Sequence, residues 1–178
     1  MPGLEKNTPH SVVGANAAAI AARPFEKIFE KVDHQLSLTP QDQLCPKGLS
    51  LFLGELGPPS RVISDWALRH GTTLMVIGYQ PLPMDWLQRY APHLDFMMVD
   101  ADYMDDTEGT VDFCMRVRHA TPRLPLLLLS SEVRGHDLTC ERMMACDVTL
   151  KSPMQELALT EGIRAAYQNN AYYLTARC

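Results

Sequence analysis

The chain has 178 residues, enough for one domain with a real core. Its 46% hydrophobic and 21% charged residues are the composition of a soluble globular protein, and a net charge of −5 shows no electrostatic footprint for nucleic acid or an anionic membrane. No apolar stretch approaches the ~20 residues that span a bilayer, and the N-terminus, MPGLEKNTPHSVVGANAAAIAARP, lacks the basic start and strongly apolar run of a signal peptide.

Ala15 to Leu36 is predicted as a helix, bent or restarted at Pro24, a residue suited to a first helical turn. In its second part, PFEKIFEKVDHQL, Phe25, Ile28, Phe29, Val32 and Leu36 fall on one stripe. SLTPQDQLCPKG then reads as a linker. Residues 1–47 are therefore expected to be an N-terminal extension and 48–178 the main domain. The stripe is expected to pack on its own domain or across a homodimer.

From Leu49 short apolar runs alternate with amphipathic segments. LSLFLGE, TTLMVIG, LDFMMVD, LPLLLLSS and CDVTLK read as strands, with LPLLLLSS the most hydrophobic and expected at the centre. PSRVISDWALRHG reads as a helix with Val62, Ile63 and Trp66 inward and Gly71 as its stop. PMDWLQRYAP, TEGTVDFCMRVRHA and HDLTCERMMA read as helices. SPMQELALTEGIRAAYQNN closes the series, with Ser152 and Gln155 as a capping box and Pro153 at the first helical position. This strict alternation predicts an α/β fold, a doubly wound parallel sheet of five βα units. The cysteines Cys45, Cys114, Cys140, Cys146 and Cys178 are odd in number and show no C-x-x-C spacing, which fits a reducing cytoplasm better than a disulfide framework or a zinc site.

In such folds chemistry belongs at the carboxyl ends of the strands. Those ends carry Glu55, Ile77-Gly78, Asp100, Ser130-Ser131 and Lys151. Each residue alone is commonplace. Together they set two acids, a hydroxyl and a lysine on one rim. Crowded carboxylates favour a cation, and Mg²⁺ takes one or two carboxylates plus a phosphoryl oxygen. Lysine and serine can hold further phosphoryl oxygens, so a carboxylate could form an acyl phosphate there.

With these residues in place the sequence resembles the receiver domain of two-component response regulators and hybrid histidine kinases, over roughly residues 49–169. The matching pieces are LFLGE, DFMMVDADYM, Gly109 opening the third helix, LPLLLLSS and DVTLKSP. The resemblance implies a flavodoxin-like strand order 2-1-3-4-5 and phosphorelay signalling. It makes Asp100 the phosphoacceptor, Glu55 the second acid of the metal pair, and Asp102 the residue whose backbone carbonyl binds Mg²⁺. Ser130 would bond the phosphoryl group and Lys151 would be the partner lysine. A histidine kinase or phosphotransfer protein would be the donor, and output would come from protein contacts.

The sequence also departs from that family. The first acid of the metal pair is Gly54, Ser152 separates Lys151 from Pro153, the aromatic switch position is Val148, and Ser131 follows the hydroxyl. The Mg²⁺ site is therefore expected to be weak, and Gly54→Asp to tighten it where the backbone admits a side chain. One alternative is a degenerate pseudo-receiver that acts by binding without phosphorylation. Another is a haloacid-dehalogenase-like Mg²⁺ phosphatase with Asp100 as nucleophile and Asp102 as general acid/base. That motif usually follows the first core strand, whereas two βα units precede it here. A dinucleotide site is excluded, because GELGPPS has no GxGxxG spacing.

Overall fold

The computed structural model describes residues 44–176 apart from 79–81 and 105. The expected N-terminal helix, its stripe and the dimer contact assigned to it lie outside the described residues.

Five parallel strands form one sheet in the order β2-β1-β3-β4-β5. They are β1 (Leu49–Leu53), β2 (Thr73–Ile77), β3 (Met97–Asp100), β4 (Leu126–Ser130) and β5 (Val148–Lys151). The helices are α1 (Pro58–Arg69), α2 (Met84–Tyr90), the single turn α3 (Ala101–Met104), α4 (Thr107–Ala120) and α5 (Glu156–Ala176). The chain is thus an α/β doubly wound fold. Every residue of β1 and β3 is buried, the state of strands covered on both faces. The centre of the sheet belongs to β3, with the more hydrophobic β4 beside it.

Alternation along the strands divides the core in two. On one face Phe52, Phe96, Met98, Leu127, Leu129 and Leu150 pack with Ile63 and Trp66 of α1 and Leu159, Ile163 and Ala166 of α5. Trp66 Nε1 donates to Thr160 Oγ1 at 2.8 Å, tying the two helices together. On the other face α2 packs on α4, whose Phe113, Cys114 and Val117 are buried. Gly71 ends α1 with a positive φ of 65°, a backbone that glycine adopts at no steric cost.

The base of the sheet buries charge. Arg118 Nη2 lies 2.7 Å from Asp147 Oδ1, with both side chains enclosed. Asp147 Oδ2 accepts the Leu126 N–H at 2.7 Å, and the guanidinium sits 4.8 Å from the Tyr173 ring centroid, a cation–π arrangement. Burial pushes the Asp147 carboxyl up, and Arg118 offsets part of that. Burial also pushes Cys45 and Cys114 up to about 12, so both are neutral thiols that fill space.

Three expectations are corrected. First, HDLTCERMMA forms no helix: the crossover from β4 to β5 is a run of turns. Asp137 pairs antiparallel with Thr149 (N–H to carbonyl 2.7 and 2.9 Å), and its carboxylate accepts the Thr139 N–H and hydroxyl at 3.1 and 2.7 Å. Local bonds of this kind compete with helix formation. Second, the capping box at Ser152 is not made. The Ser152 N–H donates to Ser130 O at 2.9 Å, continuing the β4–β5 ladder, the Ser152–Pro153 bond is cis, and α5 starts at Glu156. Third, β4 was expected at the centre of the sheet but lies beside β3, which holds it; the single turn α3 directly after β3 had no counterpart in the expected elements.

Candidate functional site at the strand ends

The rim is built by register. Ser130 and Lys151, the last residues of β4 and β5, lie opposite each other, and Asp100, the last of β3, lies opposite Leu129. Asp100 and Ser130 are buried. Burial is the main force raising the Asp100 carboxyl above the usual range. The charge of Asp102 adds to it, and the Asp102 and Tyr103 backbone N–H groups act the other way. The Asp102 N–H reaches Asp100 Oδ1 at 3.2 Å.

Asp102 is turned back by α3 towards β4. Both its carboxylate oxygens accept the Ser131 N–H, each at 2.9 Å, and Oδ1 also accepts the Ser130 hydroxyl at 3.2 Å. Ser130 Oγ in turn accepts the Glu132 N–H at 3.2 Å. From the sequence Asp102 is expected to offer a backbone carbonyl or an acid/base group, and this carboxylate contact is an additional role. The only hint in the sequence is the Asp-x-Asp spacing at a strand end. His136 is isolated in the sequence and shows no ligand spacing, yet its Nδ1 accepts the Lys151 N–H at 3.0 Å.

The structure thus joins Asp100, Asp102, Ser130 and Ser131 in one hydrogen-bonded group. It does not draw in the side chains of Glu55 or Lys151. Both are exposed, and among the described residues the Lys151 ammonium has no ion-pair partner. No three His, Cys, Asp or Glu side chains among the described residues gather as a metal would require. Asp100 and Glu55 are the carboxylates that could contribute, with the Asp102 carbonyl as a backbone ligand.

Gly54 has no room for the acid that receivers usually carry there. A Cβ at this position would lie 2.6 Å from Phe52 Cζ and 2.9 Å from Asp100 Cβ. Phe52 is fully buried in the α1–α5 core, so its ring has nowhere to retreat. The expectation that Gly54→Asp tightens Mg²⁺ binding was conditional on a tolerant backbone, and that condition is not met. Beside the rim a cavity of about 460 Å³ is lined by Asp102, Thr110, Ser130, Ser131 and Arg142, among others.

The raised Asp100 carboxyl has a consequence for stability. A folded-state pKa above the unfolded one means that ionisation is harder in the native state, so stability falls as pH rises through that range. Asp100→Asn, which keeps an acceptor for the Asp102 N–H, is expected to melt a few degrees higher than wild type at neutral pH. The gap should close on acidification below the ordinary aspartate range, where both states are protonated. Thermal melts across pH check both the sign and the window.

No protein-family model matches the chain, and no curated protein matches it in sequence. Among solved structures it is similar to the crystal structure of a pilus assembly-related protein from Burkholderia pseudomallei, with a TM-score of 0.50 and 14% identity over 74% of this chain and 96% of that one. At that identity the likeness is one of fold. No described helix is long and apolar enough to cross a membrane.

Proposed function

We propose that the chain is a receiver-like signalling module that works through protein contacts in the cytoplasm without carrying a phosphoryl group. The observation behind this reading is Gly54. The side chain that would complete the metal pair has no space, because the Phe52 ring and the Asp100 Cβ fill it. Loss of that carboxylate leaves Asp100 and the exposed Glu55 to hold Mg²⁺, a weaker site for the cation that has to offset the negative charge on a phosphoryl group in transfer. The exposed Lys151 adds little pre-organisation.

A second reading keeps Asp100 as an Mg²⁺-dependent phosphoacceptor for a histidine kinase or phosphotransfer protein. It is supported by Asp100, Ser130 and Lys151 closing three adjacent strands. Incubation with Mg²⁺ and acetyl phosphate, followed by intact-mass measurement, separates the two. The expected wild-type result is no added mass. Gain of one phosphoryl group, abolished by Asp100→Asn, would establish the second reading instead. Steady turnover of a phosphate ester, lost in Asp102→Asn, would establish a phosphatase.

A further inference from the structure

We propose that the face of β4 beside α4 is a docking slot for an amphipathic helix of another protein, which takes the place a crossover helix would hold. This deepens the contact-module reading and rests on it, naming where the contact is made and with what.

In a doubly wound fold the connecting helices cover each parallel strand on both faces. The connection from β4 to β5 brings no helix here. It goes instead to the open edge of β5, where Asp137 pairs with Thr149, and to α5, where Asn169 Nδ2 holds the carbonyls of Leu138, Thr139 and Asp147. The α4 side of β4 is left partly bare. Leu127 and Leu129 belong to the α1–α5 core, so alternation turns Leu128 the other way. Leu128 is the one residue of β4 that is partly exposed. It lines the cavity of about 460 Å³ together with Val111 of α4 and Val133. One turn along α4, Met115 continues the apolar surface, exposed like Val111 (45% and 37%), and shares a neighbouring cavity with the 54% exposed Met144. Apolar side chains gathered in water mark a contact surface, and methionine adapts to whatever packs on it.

The occupant is a helix because the slot is walled by α4 and floored by a strand, the setting in which a helix buries anchors at i, i+3, i+4 and i+7. It comes from another protein because this chain's crossover is committed elsewhere. To fill the slot the crossover would have to give up its bridge to Thr149 and its three bonds to Asn169. Charge sets the direction. The strand-end part of the slot is lined by Asp102, Asp106 and Glu132, and Arg142, in the same lining, is already paired with Asp137. The last turn of α4 carries Arg118 and His119 instead. The partner helix therefore runs parallel to α4, with basic side chains and the positive end of its dipole at the three acids.

The test titrates the full chain, labelled at its methionine methyls for NMR, with two synthetic helical peptides of about four turns. Both carry Leu at i, i+3, i+4 and i+7. One has Lys in its first turn and the other has Glu there. The Lys peptide is expected to shift the Met115 and Met144 methyls saturably and to leave Met98, in the α1–α5 core, unmoved. It is expected to bind about fivefold more tightly than the Glu peptide, the scale of a few exposed ion pairs. Met115→Glu should weaken binding by about tenfold or more, because the anchor's apolar contact is lost, while Met115→Leu keeps it. Glu132→Lys should remove the preference for the Lys peptide. Met115 and Glu132 are exposed, so these variants keep the fold. The proposal is overturned if neither peptide shifts the two methyls, if both bind equally, or if Met115→Glu binds as wild type does. It is also overturned if the slot is filled from within. Met115 and Met144 methyls that shift with protein concentration alone mean that a second copy occupies it. Helical amide shifts over residues 138–145 without peptide mean that the crossover does. Phosphoryl transfer to Asp100 would overturn the contact-module reading without deciding this titration, and the titration can fail while the wild type still gains no phosphoryl mass.

Discussion

Arg118→Met lowers the unfolding free energy by about 3–5 kcal/mol, the usual result of stripping one partner from a buried ion pair. Methionine is close in reach and fills the space above the Tyr173 ring, so lost packing contributes little. The loss comes from Asp147, which is fully buried and keeps only its other hydrogen bonds, among them the one from the Leu126 N–H. Its carboxyl, already raised by burial with Arg118 present, rises further when the guanidinium goes. A carboxyl raised in the folded state costs stability as pH climbs through its range. The deficit of the variant should therefore be largest at neutral and alkaline pH and should shrink on acidification. Asp147→Asn in the Arg118→Met background keeps an acceptor for Leu126 and has no charge to strand, so it should recover much of the loss. Urea titrations of the two single variants and the double variant at acidic and neutral pH measure the coupling directly. Equal deficits at both pH values would mean that Asp147 is not the source.

Gly54→Asp is expected to lower stability by about 1–3 kcal/mol through overpacking, with no gain in Mg²⁺ affinity. The new Cβ would meet the Phe52 ring at 2.6 Å and Asp100 at 2.9 Å, both contacts closer than van der Waals packing allows. Phe52 is fully buried and belongs to the same core cluster as Ile63, Trp66, Phe96 and Met98. The added carboxylate would also face Asp100, whose ionisation is already disfavoured by burial and by Asp102. Relief of the clash should come from space rather than charge, so Phe52→Leu combined with Gly54→Asp should fold better than Gly54→Asp alone. Only that combination should show tighter Mg²⁺ binding by calorimetry. Tighter binding in the single variant would show that the β1 end moves more freely than its packing implies.

The strands were legible because strands covered on both faces read as short unbroken apolar runs. FMMV and LLLL leave little other option between turn residues. The positions of Asp100, Ser130 and Lys151 followed from the same fact, since each ends such a run. The crossover from β4 to β5 was misread because HDLTCERMMA has helical apolar spacing, while its fate is decided by the bonds of one aspartate to Thr139 and Thr149. Nothing in apolar periodicity reports such bonds. The start of α5 was misread for a related reason. A Ser-Pro-x-Gln string matches a cap, yet the Ser152 N–H is already committed to β4. The carboxylate of Asp102 was illegible because its direction depends on the single turn α3, too short to announce itself by periodicity.

The helix-free crossover has a further consequence. Its backbone is gathered at one amide: Asn169 Nδ2 donates to the carbonyls of Leu138, Thr139 and Asp147 at 3.1, 3.2 and 2.7 Å. A helix would have spread that attachment over many intrahelical bonds. Here the segment is held by that clasp on α5, the Asp137–Thr149 bridge, the His136–Lys151 bond and Leu138 against the core, with most of its side chains in solvent. Segments with few buried contacts open at a small fraction of the global free energy. This stretch can therefore change shape while the sheet beneath it stays folded. It leads directly out of Ser130 and Ser131 and bridges to the edge strand β5 at Thr149, so a change in its shape would be felt at the strand-end group.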